Sequence, residues 1–545
     1  MDINSEIDAP DSSELFSVIS GGCVRYGDYQ FAQRHYESGI SEVIQRHCEF
    51  NVSELARRAA QAVQADRCLS IKKYPDGMYN RTLLLTMDNG KEVVAKVPNP
   101  NAGQPHFTTA SEVATMKFVR EVLSTDLPQV YDWSSKAQET PVGAEFILME
   151  KLNGMELEEV WPDMDLQGRL DVVKAVAAYQ ESWASVSFEQ FGSLYFAEDF
   201  KGENVKALVY TDENGRRVED SRFVVGSSTS RLMFDDGRDG IDFDRGPWNS
   251  LEDYHTAIGN REIACVQQVP HLPSSYLCLS GPGLYQPTRE KKVTALQTYL
   301  KLLKYILPTD RSLGSSHLWH SDLHAGNVLV DPGDRTRIVG IIDWQSTELS
   351  PLYFHARQPP FIDHIGPQLH GLERAVLSPD YDQLKGNAKE AATSLYCNQV
   401  LCSMYRGLLY YRNPKVFKCL EFQRSLSFGL LLLARAILND GEAAYLAVAS
   451  ELEEEWETLP GAQGMAYPLT FSPKERQMIQ EDLECATVAR EALQRLKDRL
   501  DETLPAKGVV LQNELKEKKD AFSEAMDQVI SEFEIIRSKS DAQVL

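Results

Sequence analysis

The segment from 317 to 345, HLWHSDLHAGNVLVDPGDRTRIVGIIDWQ, carries polar residues whose types and spacing suit phosphoryl transfer. That chemistry needs a carboxylate that receives or orients the proton of an acceptor hydroxyl, and oxygen ligands that hold Mg²⁺ on the phosphates. Asp322 is the candidate base. Asn327 can bind Mg²⁺ through its amide oxygen without adding charge, and Asp343 supplies a second, charged ligand.

Two short apolar runs must position these side chains. Residues 328–330 and 338–342 have the composition of strands, and a hairpin between them would hold Asn327 close to Asp343. Taken singly, an aspartate in such a loop is explained equally well as a loop cap. The three residue types at these spacings are explained much better as one site.

Histidines at 317, 320 and 324 leave a second interpretation open, which is a zinc site on one face of a helix. The flanking strand-like runs and the pair Gly326-Asn327 argue against a helix in this segment. Zinc is therefore the weaker alternative. His320 is better explained as a residue that packs and forms hydrogen bonds to shape the loop.

Upstream of this segment, the pattern predicts a small antiparallel sheet interrupted by one helix. Strand-like runs between 69 and 97 include Asn89-Gly90, the dipeptide typical of a type I′ hairpin turn. A helix is predicted over 108–124, followed by strands at 130–133 and 144–152. This sheet must come to lie beside the polar segment if the two are to form one site.

Downstream of the sheet, the chain is predicted to be mainly helical. Helices are expected near 170–184, 291–306, 475–500 and 513–533, and long loops between 200 and 250. The last two helices are amphipathic, with strongly charged faces.

The motifs His320-x-Asp322-x4-Asn327 and Ile341-Ile342-Asp343 resemble those of the aminoglycoside phosphotransferase and choline kinase-like branch of the protein kinase fold. Within that branch, the chain looks most similar to the fungal proteins named for altered inheritance of mitochondria. The resemblance covers about residues 50 to 370 and includes the run DRGPW at 244–248.

Three features separate this sequence from true protein kinases. Ser321 stands where a protein kinase usually has arginine, and Asp343 is followed by Trp344-Gln345 in place of Phe-Gly. The sequence contains no Ala-Pro-Glu segment after Asp343. These features favour a small molecule over a protein as the phosphoryl acceptor.

The resemblance implies an α+β, bilobal protein kinase-like fold, with a small antiparallel-sheet lobe and a larger, mainly helical lobe. Residues 1–50 would be a lead-in, 51–152 the nucleotide-binding small lobe, 153–450 the catalytic and substrate large lobe, and 451–545 a helical extension. The charged extension leaves two interpretations open, a surface for a protein partner and a solvated helical hairpin, and the second is favoured.

The resemblance also implies the residues that bind ATP. Lys96, on the third strand, would contact the α- and β-phosphates, and Glu112, on the following helix, would pair with the lysine and fix its position. Either residue alone is explained better as a solvated surface charge. Their placement on the expected strand and helix favours the functional pair.

Two further parts of the nucleotide site are implied by the resemblance. The turn at 74–81 would cover the phosphates, with Gly77 and Asn80 as its candidate residues. A single glycine is a weak signal, because Gly77 is explained equally well as an ordinary turn residue. Adenine would meet the backbone of the hinge near Met149 and Glu150.

The acceptor side is less well defined by the sequence. The run 244–248 and Tyr254 fall in the large lobe, where acceptors bind in this branch. An acidic, aromatic cleft would suit a cationic acceptor such as an amino sugar or a choline-like amine. Structural packing explains the same residues at least as well.

Composition narrows the partners and the location. A formal net charge of -24 argues against nucleic-acid binding, which needs a basic surface. No run reaches the roughly 18 apolar residues that a membrane span requires. The acidic N-terminus lacks the features of a presequence, which favours the cytoplasm, whereas the resemblance implies mitochondria.

Together these observations predict an ATP- and Mg²⁺-dependent phosphotransferase that moves the γ-phosphoryl group to a hydroxyl of a small molecule. The alternative is a nucleotide-binding pseudokinase that acts as a scaffold. The presence of Asp322, Asn327 and Asp343 at the expected positions argues against that alternative.

Overall fold

A computed structural model describes residues 49–75, 77–200, 206–273, 275, 284–500, 516–517, 520–529 and 531–532. The predicted lead-in lies outside them except for its last two residues, and the helix predicted at 513–533 is described only in part.

The small lobe is a five-stranded antiparallel sheet with a helix packed against it, which confirms the predicted sheet. Its elements are α1 (Val52–Ala62), β1 (Cys68–Lys73), β2 (Asn80–Met87), β3 (Glu92–Pro98), α2 (Phe107–Glu121), β4 (Val130–Ser134) and β5 (Phe146–Glu150). The strands lie in the order β1-β2-β3-β5-β4. Alternate residues of β2 are buried, and Leu83 and Leu85 pack with Leu55 and Ala59 of α1 in a separate apolar core.

The hairpin predicted at Asn89-Gly90 is present between β2 and β3, but its turn is of another type. A type I′ turn needs positive φ at both central residues, and here Gly90 has φ of 80° while Asn89 does not have positive φ. Gly90 N–H donates to Met87 O at 3.1 Å, and Met87 N–H donates to Lys91 O at 2.9 Å. The loop between β2 and β3 is therefore longer than the two residues of a type I′ turn, and it ends on Gly90 in the left-handed conformation.

Helix α2 lies between the two lobes and is buried on nearly every side. Phe118 and Val119 belong to the core of the large lobe, whereas Ala110 packs with Tyr195 and Val224 in a small separate cluster. The helix that carries Glu112 is thus held by the large lobe as well as by the sheet.

The large lobe combines short sheets with a helical layer. Its elements are β6 (Met155–Glu156), α3 (Leu157–Val160), α4 (Leu166–Ser185), β7 (Ser187–Phe188), β8 (Ser193–Phe196), β9 (Leu208–Thr211), β10 (Arg217–Asp220), β11 (Phe223–Gly226), α5 (Leu251–Gln268), α6 (Arg289–Ile306), β12 (Ser316–Leu318), β13 (Val328–Val330), β14 (Ile338–Ile341), β15 (Leu349–Pro351), α7 (Leu352–His355), α8 (Asn387–Arg412), α9 (Pro414–Phe422), α10 (Leu426–Ala434), α11 (Glu442–Glu455) and α12 (Pro473–Leu500). Among the described helices, none is long and apolar enough to cross a membrane.

The region from 206 to 226 forms strands, so the prediction of long loops between 200 and 250 was wrong there. Strand β9 pairs with β10, and β11 pairs with β8. The turn between β9 and β10 ends on Gly215, whose φ is 74°, and whose N–H donates to Asp212 O at 2.9 Å. The dipeptide Asn214-Gly215 is the same hairpin signal that marks the β2–β3 turn, and it could have identified this second hairpin.

The C-terminal helices pack as a layer on the large lobe. Helix α11 runs through the boundary predicted at 450, and its Leu452 lies in the main core together with Leu483 of α12. Further along α12, Leu493 and Leu496 share a satellite core with Ala443 of α11. The described part of the predicted extension therefore continues the large lobe.

A buried histidine ties α5 to the helical layer. His255 is fully buried, and its two ring nitrogens contact the hydroxyls of Tyr299 and Tyr353. Burial, reinforced by the charge of Arg435, lowers the pKa of His255 to about 3. The ring is therefore neutral in the folded protein at neutral pH.

His255 should make the stability of the protein depend on pH. Because its pKa is lowered in the folded state, the unfolded chain takes up the proton first as pH falls below the ordinary value of about 6.5. Between pH 7 and pH 5 we expect the free energy of unfolding to fall by about 2 kcal/mol more in the wild type than in His255→Gln. Urea unfolding at the two pH values measures this difference.

Tyr299→Phe is the control, because it removes a partner of His255 and keeps the histidine. It should retain the pH dependence of the wild type. An equal fall in the wild type and in His255→Gln would contradict the prediction.

Candidate nucleotide and metal site

The hairpin of β13 and β14 holds Asn327 and Asp343 together, as the sequence predicts. Val328 pairs with Ile341, and Ile342 N–H donates to Asn327 O at 2.9 Å. The side-chain NH₂ of Asn327 donates to Asp322 O at 2.9 Å. Since a carbonyl oxygen only accepts, this bond fixes the orientation of the amide and leaves its oxygen for a cation.

His320 shapes the loop that carries Asp322. Its Nε2 donates to Ile342 O at 2.8 Å, and its Nδ1 accepts from Asp322 N–H at 3.2 Å. Burial lowers the pKa of His320, which favours the neutral ring that both bonds require. This is the role that the sequence analysis preferred for His320 over zinc binding.

The other two histidines of the segment point to different partners. His317 is buried and contacts Ser315 Oγ at 3.0 Å and Lys415 Nζ at 2.8 Å. His324 Nε2 lies 3.6 Å from Asp322 Oδ2. The segment is a strand followed by a loop, so the three rings do not share a helical face.

Asp322 differs from the other site residues in its exposure. Its side chain is 69% exposed, whereas Asn327 is buried. The carboxylate is therefore accessible from solution, and the bonds to His320 and Asn327 hold the backbone of Asp322 in place.

Asp343 adopts a left-handed backbone conformation, with φ of 64°. Such a conformation costs a non-glycine residue on the order of 1–3 kcal/mol and persists only where the surroundings enforce it. The neighbouring Trp344 is fully buried, donates from Nε1 to Ile341 O at 3.0 Å and contacts the ring of Trp183. The buried tryptophan anchors the chain directly after Asp343.

Lys96 links the two lobes through charge. Its Nζ lies 2.6 Å from Glu112 Oε1 and 2.7 Å from Asp343 Oδ1. Lys96 and Glu112 are buried, while the side chain of Asp343 is 41% exposed. The lysine therefore joins β3, α2 and the end of the β13–β14 hairpin at one point.

The three groups of this cluster alter one another's ionisation. Burial alone lowers the pKa of Lys96, but the carboxylates of Asp343 and Glu112 outweigh burial and raise it above its ordinary value. Burial would raise the pKa of Asp343, yet the Lys96 ammonium holds it below its usual range. Burial raises the pKa of Glu112 in spite of the lysine. The carboxylate of Asp343 is therefore ionised at neutral pH.

The predicted phosphate-covering turn connects β1 to β2. Gly77 N–H donates to Asn80 O at 3.1 Å, which closes the turn. Asn80 Nδ2 donates to Gln345 Oε1 at 2.6 Å, so the turn is joined directly to the segment after Asp343. The contact of Gly77 and Asn80 with a nucleotide remains a prediction.

The predicted hinge lies at the end of β5. Met149 is paired on both sides, with Val94 of β3 and Val130 of β4. Glu150 N–H donates to Gln129 O at 2.8 Å and is already used within the lobe. If Met149 and Glu150 mark the adenine site, the next amide donor along the chain is that of Lys151.

The run from 244 to 248 is built as a folded turn. Asp244 accepts hydrogen bonds from Gly246 N–H at 2.9 Å and from Trp248 Nε1 at 2.8 Å. Trp248 and Tyr254 are buried in the core with their ring centroids 5.3 Å apart. These contacts support the packing interpretation over a role of the two aromatic rings in acceptor binding.

Sequence reasoning did not identify Gln345 and Arg231 as site residues. Gln345 contacts Asn80 of the small lobe, and the guanidinium of Arg231 stacks on the ring of Tyr79 at 3.9 Å. Through these contacts, both residues attach the large lobe to the turn between β1 and β2. No spacing or composition marks either residue, because their partners are far away in the sequence.

The fold and the cluster around Lys96 define a kinase-like phosphotransferase fold. The chain belongs to the phosphotransferase enzyme family (APH), whose family model matches residues 70–354, more than half of the chain. The predicted resemblance is thereby confirmed, and the match spans both lobes.

Two fungal relatives illustrate the similarity. The chain is 27% identical over 473 residues to a subtelomeric hrmA-associated cluster protein of Aspergillus fumigatus, covering 81% of this chain and 89% of that protein. It is 23% identical over 474 residues to altered inheritance of mitochondria protein 9, mitochondrial, of Yarrowia lipolytica, covering 83% and 77% respectively.

The chain is also similar, at lower sequence identity, to solved structures. Aminoglycoside phosphotransferase APH(4)-Ia is 12% identical, with a TM-score of 0.34 and coverage of 79% of this chain and 99% of that chain. A putative fructosamine-3-kinase from Thermobifida fusca is also 12% identical, with a TM-score of 0.32 and coverage of 80% and 99%.

Removing Lys96 should destabilise the protein strongly. In Lys96→Met the carboxylate of Glu112 stays buried without its cation, and breaking a buried pair in this way costs about 3–5 kcal/mol. Urea unfolding at pH 7 measures the loss. The loss should shrink at pH 5, because protonation relieves a buried carboxylate.

Lys117→Met is the matched control on the same helix. Lys117 forms an exposed pair with Glu121, its side chain being 51% exposed, and its replacement should change stability by less than about 0.5 kcal/mol. Similar losses for the two variants would show that the Lys96 cluster does not contribute more than a surface pair.

Proposed function

We propose that the protein transfers the γ-phosphoryl group of ATP to a hydroxyl of a small molecule, in a reaction that requires Mg²⁺. The observation that carries this proposal is the position of Lys96 between Glu112 and Asp343, at 2.6 and 2.7 Å. A buried cation at the meeting point of the two lobes suits the binding of phosphates.

The donor set around Asp343 fits Mg²⁺ in the presence of a nucleotide. Mg²⁺ is usually held by one or two carboxylates together with substrate phosphates and waters. Asp343 offers one ionised carboxylate, and Asn327 adds one amide oxygen. These two protein ligands are enough for a Mg²⁺ site that is completed by phosphates and waters. When bound, ATP would supply the phosphoryl group, and Mg²⁺ held by Asp343 and Asn327 would neutralise the charge that develops on it.

Asp322 would act on the acceptor. Its carboxylate accepts a hydrogen bond from the acceptor hydroxyl and takes up the proton as the hydroxyl oxygen bonds to the γ-phosphorus. The bond from the γ-phosphorus to the bridging oxygen breaks, and ADP leaves with that electron pair. The 69% exposure of the Asp322 side chain is consistent with contact to a molecule from solution.

A small-molecule acceptor is favoured by the chain after Asp343. Trp344 is buried and Gln345 is nearly so, and β15 begins at Leu349, so this segment is part of the packed lobe. A protein kinase holds a longer, regulated activation loop at this place. The rival function, a nucleotide-binding pseudokinase, predicts nucleotide binding without transfer.

The roles of the two aspartates can be separated by binding and turnover. Asp322→Asn and Asp343→Asn should both lose transfer, by about 100-fold or more. Asp322→Asn should bind Mg-ATP as the wild type does, whereas Asp343→Asn should bind it at least about tenfold more weakly. Calorimetric titration with ATP, with and without Mg²⁺, measures the affinity.

Asp334→Asn is the control, because Asp334 lies in the same hairpin and accepts from Thr336. It should leave binding and transfer unchanged. Transfer is measured as ADP release against a library of amines, sugars and alcohols. Equal loss of Mg-ATP binding in Asp322→Asn and Asp343→Asn would contradict the assigned roles, and Mg²⁺-independent binding without ADP release would favour a pseudokinase.

A further inference from the structure

Gln345 is attached to three separate segments around the proposed ATP site. Its Oε1 accepts from Asn80 Nδ2 at 2.6 Å, and its Nε2 donates to Ala102 O at 3.1 Å. Its backbone oxygen accepts from Ser321 Oγ at 3.2 Å. Gln345 is only 9% exposed, so these bonds are formed away from bulk water.

Each of these three segments carries a different part of the site. Asn80 begins β2, directly after the phosphate-covering turn. Ala102 lies between Lys96 on β3 and the start of α2. Ser321 precedes Asp322 in the chain. The side chain of Gln345 thus joins the turn to the segment before α2, and its backbone oxygen joins both to the loop that carries Asp322.

The backbone around Gln345 ties these contacts to Asp343. Asp343 and Ser346 both have left-handed φ, of 64° and 55°, and they flank the pair Trp344-Gln345. Trp344 is fixed in the core of the large lobe, and Gln345 is fixed by the small lobe. The unusual conformation of Asp343 therefore depends on contacts on both sides of the cleft.

We propose that Gln345 is a positioning residue that couples the phosphate-covering turn to the metal-binding carboxylate of Asp343. Its amide holds Asn80 and Ala102 in place only while the chain from 343 to 346 keeps its left-handed turns. The position of Asn80 at the end of the turn and the orientation of the Asp343 carboxylate are thereby coupled. This inference rests on the proposed function, because it assumes that Asp343 binds Mg²⁺ and that the turn covers ATP.

The chemistry of the amide explains why glutamine suits this position. One end must accept from Asn80 and the other must donate to a backbone carbonyl, and an amide does both. In Gln345→Glu the carboxylate would still accept from Asn80. The other carboxylate oxygen would face Ala102 O, which needs a donor. Gln345→Glu should therefore also disrupt the coupling, although glutamate has nearly the same shape as glutamine.

The fold should survive the loss of Gln345, because a second contact holds the same small-lobe segments. Arg231, in the large lobe, stacks on Tyr79 at 3.9 Å and donates to Asn101 O at 2.6 Å. This contact joins the lobes without involving Asp343. Variants of Gln345 should therefore stay folded while they lose the link to the metal ligand.

The test is a double-mutant cycle with Gln345→Ala and Asn80→Ala, read out as ATP affinity over a range of Mg²⁺ concentrations. Each single variant should bind Mg-ATP about five- to tenfold more weakly than the wild type, and the double variant no more weakly than either one. The Mg²⁺ concentration needed for half-maximal binding should rise in Gln345→Ala and in Gln345→Glu. A residue with a purely structural role would lower thermal stability without this shift.

Gln190 and Asn249 provide the matched control pair. They form an exposed amide–amide hydrogen bond of 3.0 Å in the large lobe, and alanine at either position should leave Mg²⁺ dependence unchanged. If Gln345→Ala does not fold, Asn80→Ala and Gln345→Glu carry the same prediction.

The outcomes separate this inference from the proposed function. A wild type that fails to bind Mg-ATP would overturn the proposed function itself. A wild type that binds Mg-ATP, with Gln345 variants of unchanged Mg²⁺ dependence or with strictly additive losses for Gln345→Ala and Asn80→Ala, would overturn the coupling and leave the function standing.

Discussion

The whole site depends on one ammonium group shared by two carboxylates from different parts of the chain. Lys96 Nζ contacts Glu112 and Asp343, and it is buried where the lobes meet. Removing the charges of Lys96 and Glu112 from water is unfavourable unless each is paired with good geometry. The small lobe, α2 and the β13–β14 hairpin must therefore meet at one place, and the contacts between the lobes secure that meeting.

Several features of the fold can be understood as consequences of this requirement. Helix α2 is packed against the large lobe through Phe118 and Val119, so Glu112 has little freedom to leave Lys96. Trp344 anchors the chain beside Asp343, whose left-handed backbone aims the carboxylate at the lysine. The arrangement is pre-organised, which is how an enzyme stabilises charge without reorganising during the reaction.

Local sequence patterns were sufficient to predict the parts that depend on neighbours in the chain. The β13–β14 hairpin was predicted from two apolar runs, and the small sheet was predicted from strand-like runs and the turn at Asn89-Gly90. Gln345 contacts Asn80 and Ala102, which precede it in the sequence by 265 and 243 positions. No local pattern encodes contacts over such separations. The strands near Asn214-Gly215 were missed although the turn dipeptide was present, because the surrounding polar composition is typical of loops.

In the proposed function, Lys96 binds the phosphates of the nucleotide and Asp343 binds the metal ion. A crystal structure of the complex with Mg²⁺ and a non-hydrolysable ATP analogue tests it directly. We expect oxygens of Asp343 and Asn327 at about 2.0–2.1 Å from Mg²⁺, and Lys96 Nζ bonded to phosphate oxygens while it keeps Glu112. A complex in which the nucleotide lies between the lobes but neither Asp343 nor Asn327 contacts the metal would contradict the account.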